Sequence, residues 1–124
     1  MGTPRALEEY MSPDRLRQVA SRMPKATGGP AIPLPDGTEV TRDVIVYSVE
    51  EFSTRVHADC LGLTAALGDP RVHLRYAAVL ALQILTGAAE PDFQAFQSPE
   101  TEANRQAIQR WQERCKAMSA VDKR

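Results

Sequence analysis

The chain has 124 residues, 15 Lys/Arg against 16 Asp/Glu for a net charge of -1, and 43% hydrophobic residues. That length and apolar content suit one domain with its own core, and the near balance of charge supplies no field to hold a nucleic acid or an anionic membrane. The longest apolar run, residues 76–82, is too short to cross a bilayer, and Glu8 and Glu9 beside Leu7 interrupt any signal-peptide core, so the expectation is a cytoplasmic protein with no membrane partner.

Residues 1–11 offer only a short turn of helix around Leu7, Tyr10 and Met11 and are expected to fray. Ser12-Pro13-Asp14 is a clearer start, with a cap, a proline and an acid at the positive end of a helix that should run to about Arg22. Leu16, Val19, Ala20 and Met23 give it one narrow apolar stripe. Residues 24–47 form a long connection rich in proline and glycine. Within it Pro35-Asp36-Gly37-Thr38 is turn chemistry between Ile32–Leu34 and residues 39–41, which predicts one small β-hairpin in the 30–47 region. Gly28-Gly29 lacks the strand before it and the Lys-Ser/Thr helix start after it that a phosphate cradle needs.

Ser48 with Glu51 three residues later reads as a capping box, which predicts a second helix over 49–67. Its apolar positions Val49, Phe52, Val56, Cys60, Leu63 and Leu67 recur three or four apart without a break. Gly68 ends that helix, Asp69 caps the next and Pro70 suits its first position, so 49–67 and 70–86 form an antiparallel helical hairpin. The second arm is apolar on nearly every face, as for a helix covered on most sides, and Gly87 gives it a left-handed exit. Phe93 and Phe96 should pin the following crossing segment to the core. Ser98-Pro99-Glu100 then starts a last helix whose stripe is Ala103, Ala107, Ile108, Trp111, Cys115 and Met118, with 119–124 frayed.

The central hairpin resembles a HEAT or armadillo-type repeat. The likeness rests on Leu67-Gly68-Asp69-Pro70-Arg71-Val72 followed by Arg75, Ala77-Ala78 and Ala81-Leu82; it is tightest over 49–87 and extends more loosely to 118. In that family an Asp in the turn and an Arg six residues later form the recurring polar pair, which Asp69 and Arg75 match. The resemblance implies that the Asp caps the second helix while the Arg satisfies carboxylates or carbonyls of the turn. The phrase occurs once, whereas repeat stacks need about three units. The fold class is therefore all-α, a compact bundle of four to five helices in a single domain over 1–124, with the HEAT-like hairpin at its centre.

The search for chemistry assigns no catalytic, cofactor-binding or metal residues. His57, Asp59, Cys60 and His73 are the only metal-like set, and in an antiparallel hairpin the two histidines are offset by about 10 Å along the axis. Cys60 and Cys115, on two predicted helices at stripe positions, fit buried thiols better than a disulfide. Arg110 and Arg114 head a basic strip on the last helix that Glu113 interrupts, so nucleic acid is disfavoured as a partner.

What remains is non-enzymatic protein binding, by an interaction, scaffold or adaptor module whose partner is another protein or a second copy. Its candidate contacts are Trp111, Arg110 and Arg114 on the last helix and Ile32 and Leu34 in the 24–41 loop; Ser48, Glu51, Asp69, Arg75 and Ser98 are structural caps. Two other classes stay open: a small-ligand or enzyme domain with a pocket under the 24–47 connection, and a nucleic-acid-binding HEAT-like domain.

Overall fold

The computed structural model describes residues 2–23 and 31–122, with side chains to 118. Among them are six helices, α1 (Arg5–Tyr10), α2 (Pro13–Arg22), α3 (Arg42–Arg55), α4 (Cys60–Ala66), α5 (Val72–Thr86) and α6 (Glu102–Asp122), and two strands, β1 (Ala31–Pro33) and β2 (Glu39–Thr41). The protein is mostly helical with one small antiparallel sheet. No helix among the described residues is long and apolar enough to cross a membrane.

The N-terminal half follows its local signals closely. Ser12 Oγ accepts from the Arg15 N–H at 3.4 Å with Pro13 next in line, so α2 starts where its cap dictates. Residues 1–11, expected to fray, contain α1, and Leu7 and Met11 at its end are fully buried. The β-hairpin forms with Ile32 opposite Val40. Its turn is closed by the Leu34 N–H on the Thr38 carbonyl at 2.8 Å, and Gly37 takes the left-handed φ of 88° that L side chains avoid. Residues 24–30 of the expected loop, with Gly28-Gly29, lie outside the described residues.

The predicted helix over 49–67 is two helices. The chain already enters α3 at Arg42, because Val44 and Ile45 bury fully against the core, so tertiary packing overrides the capping box at Ser48. Ser48 sits inside α3, buried, with its hydroxyl unpartnered, and Glu51 instead pairs with Arg15 on α2 and, at 4.0 Å, with Arg55. At the far end Val56 turns extended and Asp59 caps α4 by accepting from the Gly62 N–H at 2.9 Å. The apolar stripe runs straight through this break, since Phe52 in α3 and Leu63 in α4 bury into the same core.

α4 and α5 form the central hairpin. α5 begins at Val72, two residues later than Asp69-Pro70 predicts, and Gly87 ends it at φ 71°. Residues 88–101 cross back without regular structure. They are anchored by buried Phe93 and Ala95 and by Asn104, whose amide oxygen accepts from the Gln94 N–H at 2.7 Å while its nitrogen donates to the Gln94 and Ser98 carbonyls at 2.9 Å. Phe96 is half-exposed and leans on Tyr76, with ring centroids 5.8 Å apart. α6 starts at Glu102 rather than at Ser98, because Thr101 Oγ1 accepts from the Asn104 N–H, and Ser98 Oγ turns back one step earlier to the Glu100 N–H.

The two cysteines, expected as thiols, form a disulfide. Cys60 opens α4 and Cys115 lies on the buried face of α6, and packing these helices together brings their Cα atoms to 5.5 Å. Separation in sequence gave no hint of this contact.

Candidate functional site

The residues expected to bind a partner are mostly interior. Trp111 is fully buried in the α6 stripe, and Ile32 and Leu34 are the inward side chains of the hairpin, at 0% and 5% exposure. Each therefore packs the core instead of anchoring an interface. Arg110 and Arg114 are surface-facing but engaged: Arg110 Nε meets Glu90 at 2.5 Å and Arg114 Nη2 meets it at 2.6 Å, while Arg110 also reaches Asp92 at 3.1 Å. The Arg110 hydrogen bond foremost, with that from Arg114, holds the Glu90 carboxyl below the usual carboxylate range against the effect of its burial. This strip ties α6 to the crossing segment.

The turn before α5 is a second polar cluster. Burial raises the Asp69 carboxyl, but hydrogen bonds from the Arg71 side chain and backbone and from the Thr3 hydroxyl outweigh it and lower the group to about 2. Asp69 thus closes the turn onto Arg71 and the N-terminal segment, and does not cap α5 as expected. Arg75 is buried and spans two elements, its Nη1 donating to the Asp69 carbonyl at 2.7 Å and its Nε to the Ala95 carbonyl at 3.0 Å. The expected Asp–Arg link therefore runs through the Asp69 backbone. Glu8 completes the cluster at 2.7 Å from Arg71.

The metal-like set does not converge. His73 is buried beside this turn, His57 is exposed at the far end of the hairpin, and Cys60 is bonded to Cys115. Among the described residues no group of three His, Cys, Asp or Glu side chains could hold a metal ion. Burial foremost, with the neighbouring Arg71 charge, pushes the His73 pKa down.

The feature with the reach of a binding site lies between α3 and α5. Two adjoining clefts of about 280 Å³ each share Ile84. One is lined by Arg42, Val46, Val49, Glu50, Leu80 and Gln83, and the other by Phe52, Ser53, Val56, His57, Leu63, Ala81 and Leu85. Together they make a mainly apolar groove. Ile84 and Leu85 are 51% and 42% exposed, which is high for their type, and they lie side by side rather than scattered. The groove continues to a cleft at the Cys60–Cys115 bond lined by His57, Asp59, Leu85 and Met118. Between the end of α2 and α3 a further cleft is walled, among the described residues, by Val19, Arg22, Met23 and Tyr47.

Sequence reasoning missed this groove, although a signal was present. α5 is apolar on nearly every face, and the described elements leave part of it open. His73, Leu74, Ala77, Ala78, Ala81 and Leu82 face the core, while Tyr76, Val79 and Leu80 are half-covered and Ile84 is open. Comparison with protein-family models, curated proteins and solved structures found no match to this chain.

Proposed function

We propose that the chain is a non-enzymatic protein-binding module that receives a helical segment in the α3–α5 groove. The observation that carries this reading is the apolar face of α5, half-covered at Leu80 and open at Ile84 and Leu85, set against Val46, Val49 and Phe52 of α3. An amphipathic helix laid there would cover side chains that this chain leaves in water, at low ordering cost because both walls are already built. The HEAT-like reading supports the same face. In a stack of helical hairpins the outer side of each second helix is where a neighbouring element rests, and the Arg75 bond to the Asp69 carbonyl supplies the polar link that such hairpins use.

The enzyme alternative places its pocket under the 24–47 connection, of which residues 24–30 lie outside the described residues, and in the α3–α5 groove Ser53 and His57 line one cleft without a hydrogen bond between them. The cysteine pair weighs on the compartment. A cytoplasmic protein would hold these thiols reduced, whereas the bonded pair favours an oxidising environment.

The test is capture of binding partners by the tagged full chain, compared with Ile84→Arg, a substitution at an exposed position that leaves the core intact. A partner held by the natural chain and lost with Ile84→Arg supports the groove; equal capture by both overturns it.

A further inference from the structure

We propose that the open α3–α5 face is covered by a second copy of this chain, seated antiparallel about a two-fold axis that passes by Val46 and Leu80, with the two grooves facing each other. The inference rests on the reading of this face as a docking surface and names what covers it.

The argument is one of self-complementarity. On α3, Arg42 and Glu50 stand four residues either side of Val46, all three lining one cleft. Eight residues of helix separate the two charges by about 12 Å along the axis. On α5, Tyr76 and Ile84 stand four residues either side of Leu80, which lies across the same cleft from Val46 and Val49. A two-fold axis in the plane of the interface and perpendicular to the helices lays each helix on its own copy with direction reversed. Val46 then meets Val46, and Leu80 meets Leu80. In the same operation Arg42 meets Glu50 of the other copy twice, and Tyr76, which packs on Phe96 in its own chain, comes opposite Ile84 twice. One rotation therefore satisfies both the charges and the apolar positions.

The charges themselves ask for such a partner. Seven arginines, at 5, 15, 17, 55, 71, 110 and 114, make ion pairs within the chain. Exposed Arg42 and Glu50 make none among the described residues, which is equally true of Arg22 and Arg105, but Arg42 and Glu50 are the two charged side chains that line the cleft with Leu80. A partner segment must bring an acid and a base in the reverse order, eight residues apart around an apolar centre. The α3 of a second copy has that pattern.

The experiment measures the mass of the full chain by light scattering for the natural protein, Arg42→Glu, Glu50→Arg and an equimolar mixture of the two variants. Both positions are exposed, so circular dichroism should report an unchanged fold. The natural chain should be a dimer, and each variant alone, which sets like charges together at both symmetric contacts, should dissociate with a dimer constant roughly tenfold weaker or more. Mixing the variants should restore the dimer, because every reversed charge then meets its opposite. A natural chain that is monomeric, a dimer indifferent to both reversals, or a mixture that stays dissociated overturns the proposal. The two readings fail separately: a monomer that still loses a different protein partner through Ile84→Arg keeps the groove and discards the second copy, whereas a monomer with no such loss discards both.

Discussion

Breaking the Cys60–Cys115 bond should lower stability by an amount the loop it closes sets. The bonded residues are 55 positions apart. On the chain-entropy account a loop of that length removes about 14 cal/mol/K from the unfolded ensemble, or about 4 kcal/mol at 25 °C. With an unfolding entropy of about 0.26 kcal/mol/K for a chain of this size, the melting temperature should fall by about 15 °C on reduction. Circular dichroism melts with and without dithiothreitol measure the shift, and thiol counting in denaturant without reductant should find no free cysteine. The double variant Cys60→Ala, Cys115→Ala should melt near the reduced protein and ignore the reductant. Two titratable thiols in the untreated protein, or a shift under about 4 °C on reduction, would refute the reasoning, since a loop this long cannot close at so small an entropy.

Arg75→Met should cost about 2–3 kcal/mol in urea melts, because it leaves the Asp69 and Ala95 carbonyls buried without their donor; a loss under about 1 kcal/mol would mean water replaces the guanidinium. Ser48→Ala should stabilise by about 0.5 kcal/mol, as it removes an unpaired buried hydroxyl from a helix interior. A capping serine would respond with the opposite sign, so destabilisation would restore the helix start at Ser48. His73 has a folded pKa below its ordinary 6.5, so the unfolded chain binds the extra proton. Stability should hold above that pH and decline as pH falls below it, and His73→Leu should flatten that decline; an unchanged slope would place the proton elsewhere.

Much of this fold is written locally. Ser12-Pro13, Asp36-Gly37 and Gly87 each specify a cap, a turn or an exit by their own chemistry, and each operates where it stands. What escaped a linear reading depends on contacts between distant segments. The break at 56–59 is invisible to periodicity because Phe52 and Leu63 enter one core from both sides of it; the local clue was Asp59 three residues before Gly62. The start of α3 at Arg42 is a tertiary decision, made by the burial of Val44 and Ile45. Trp111, Ile32 and Leu34 show the same limit from the other direction, since an apolar residue near a chain end or in a loop reads alike whether it is core or contact. The groove was legible only in part. Its apolar content was plain in α5, but which side of α5 stays open follows from where α3 and α4 pack.

The bond between α4 and α6 turns residues 60–115 into a covalent ring. α5, the irregular crossing at 88–101 and most of α6 belong to that ring, while α1, α2, the β-hairpin and α3 hang from it by a single strand of backbone at 56–59. A protease cut within the crossing would leave both fragments joined, whereas a cut at 56–59 would release the N-terminal portion to whatever noncovalent contacts hold it. The groove spans that divide, with its α5 wall on the ring and its α3 wall on the pendant. Whatever settles there grips both parts at once and acts as a clasp across a seam of this domain that no covalent bond doubles.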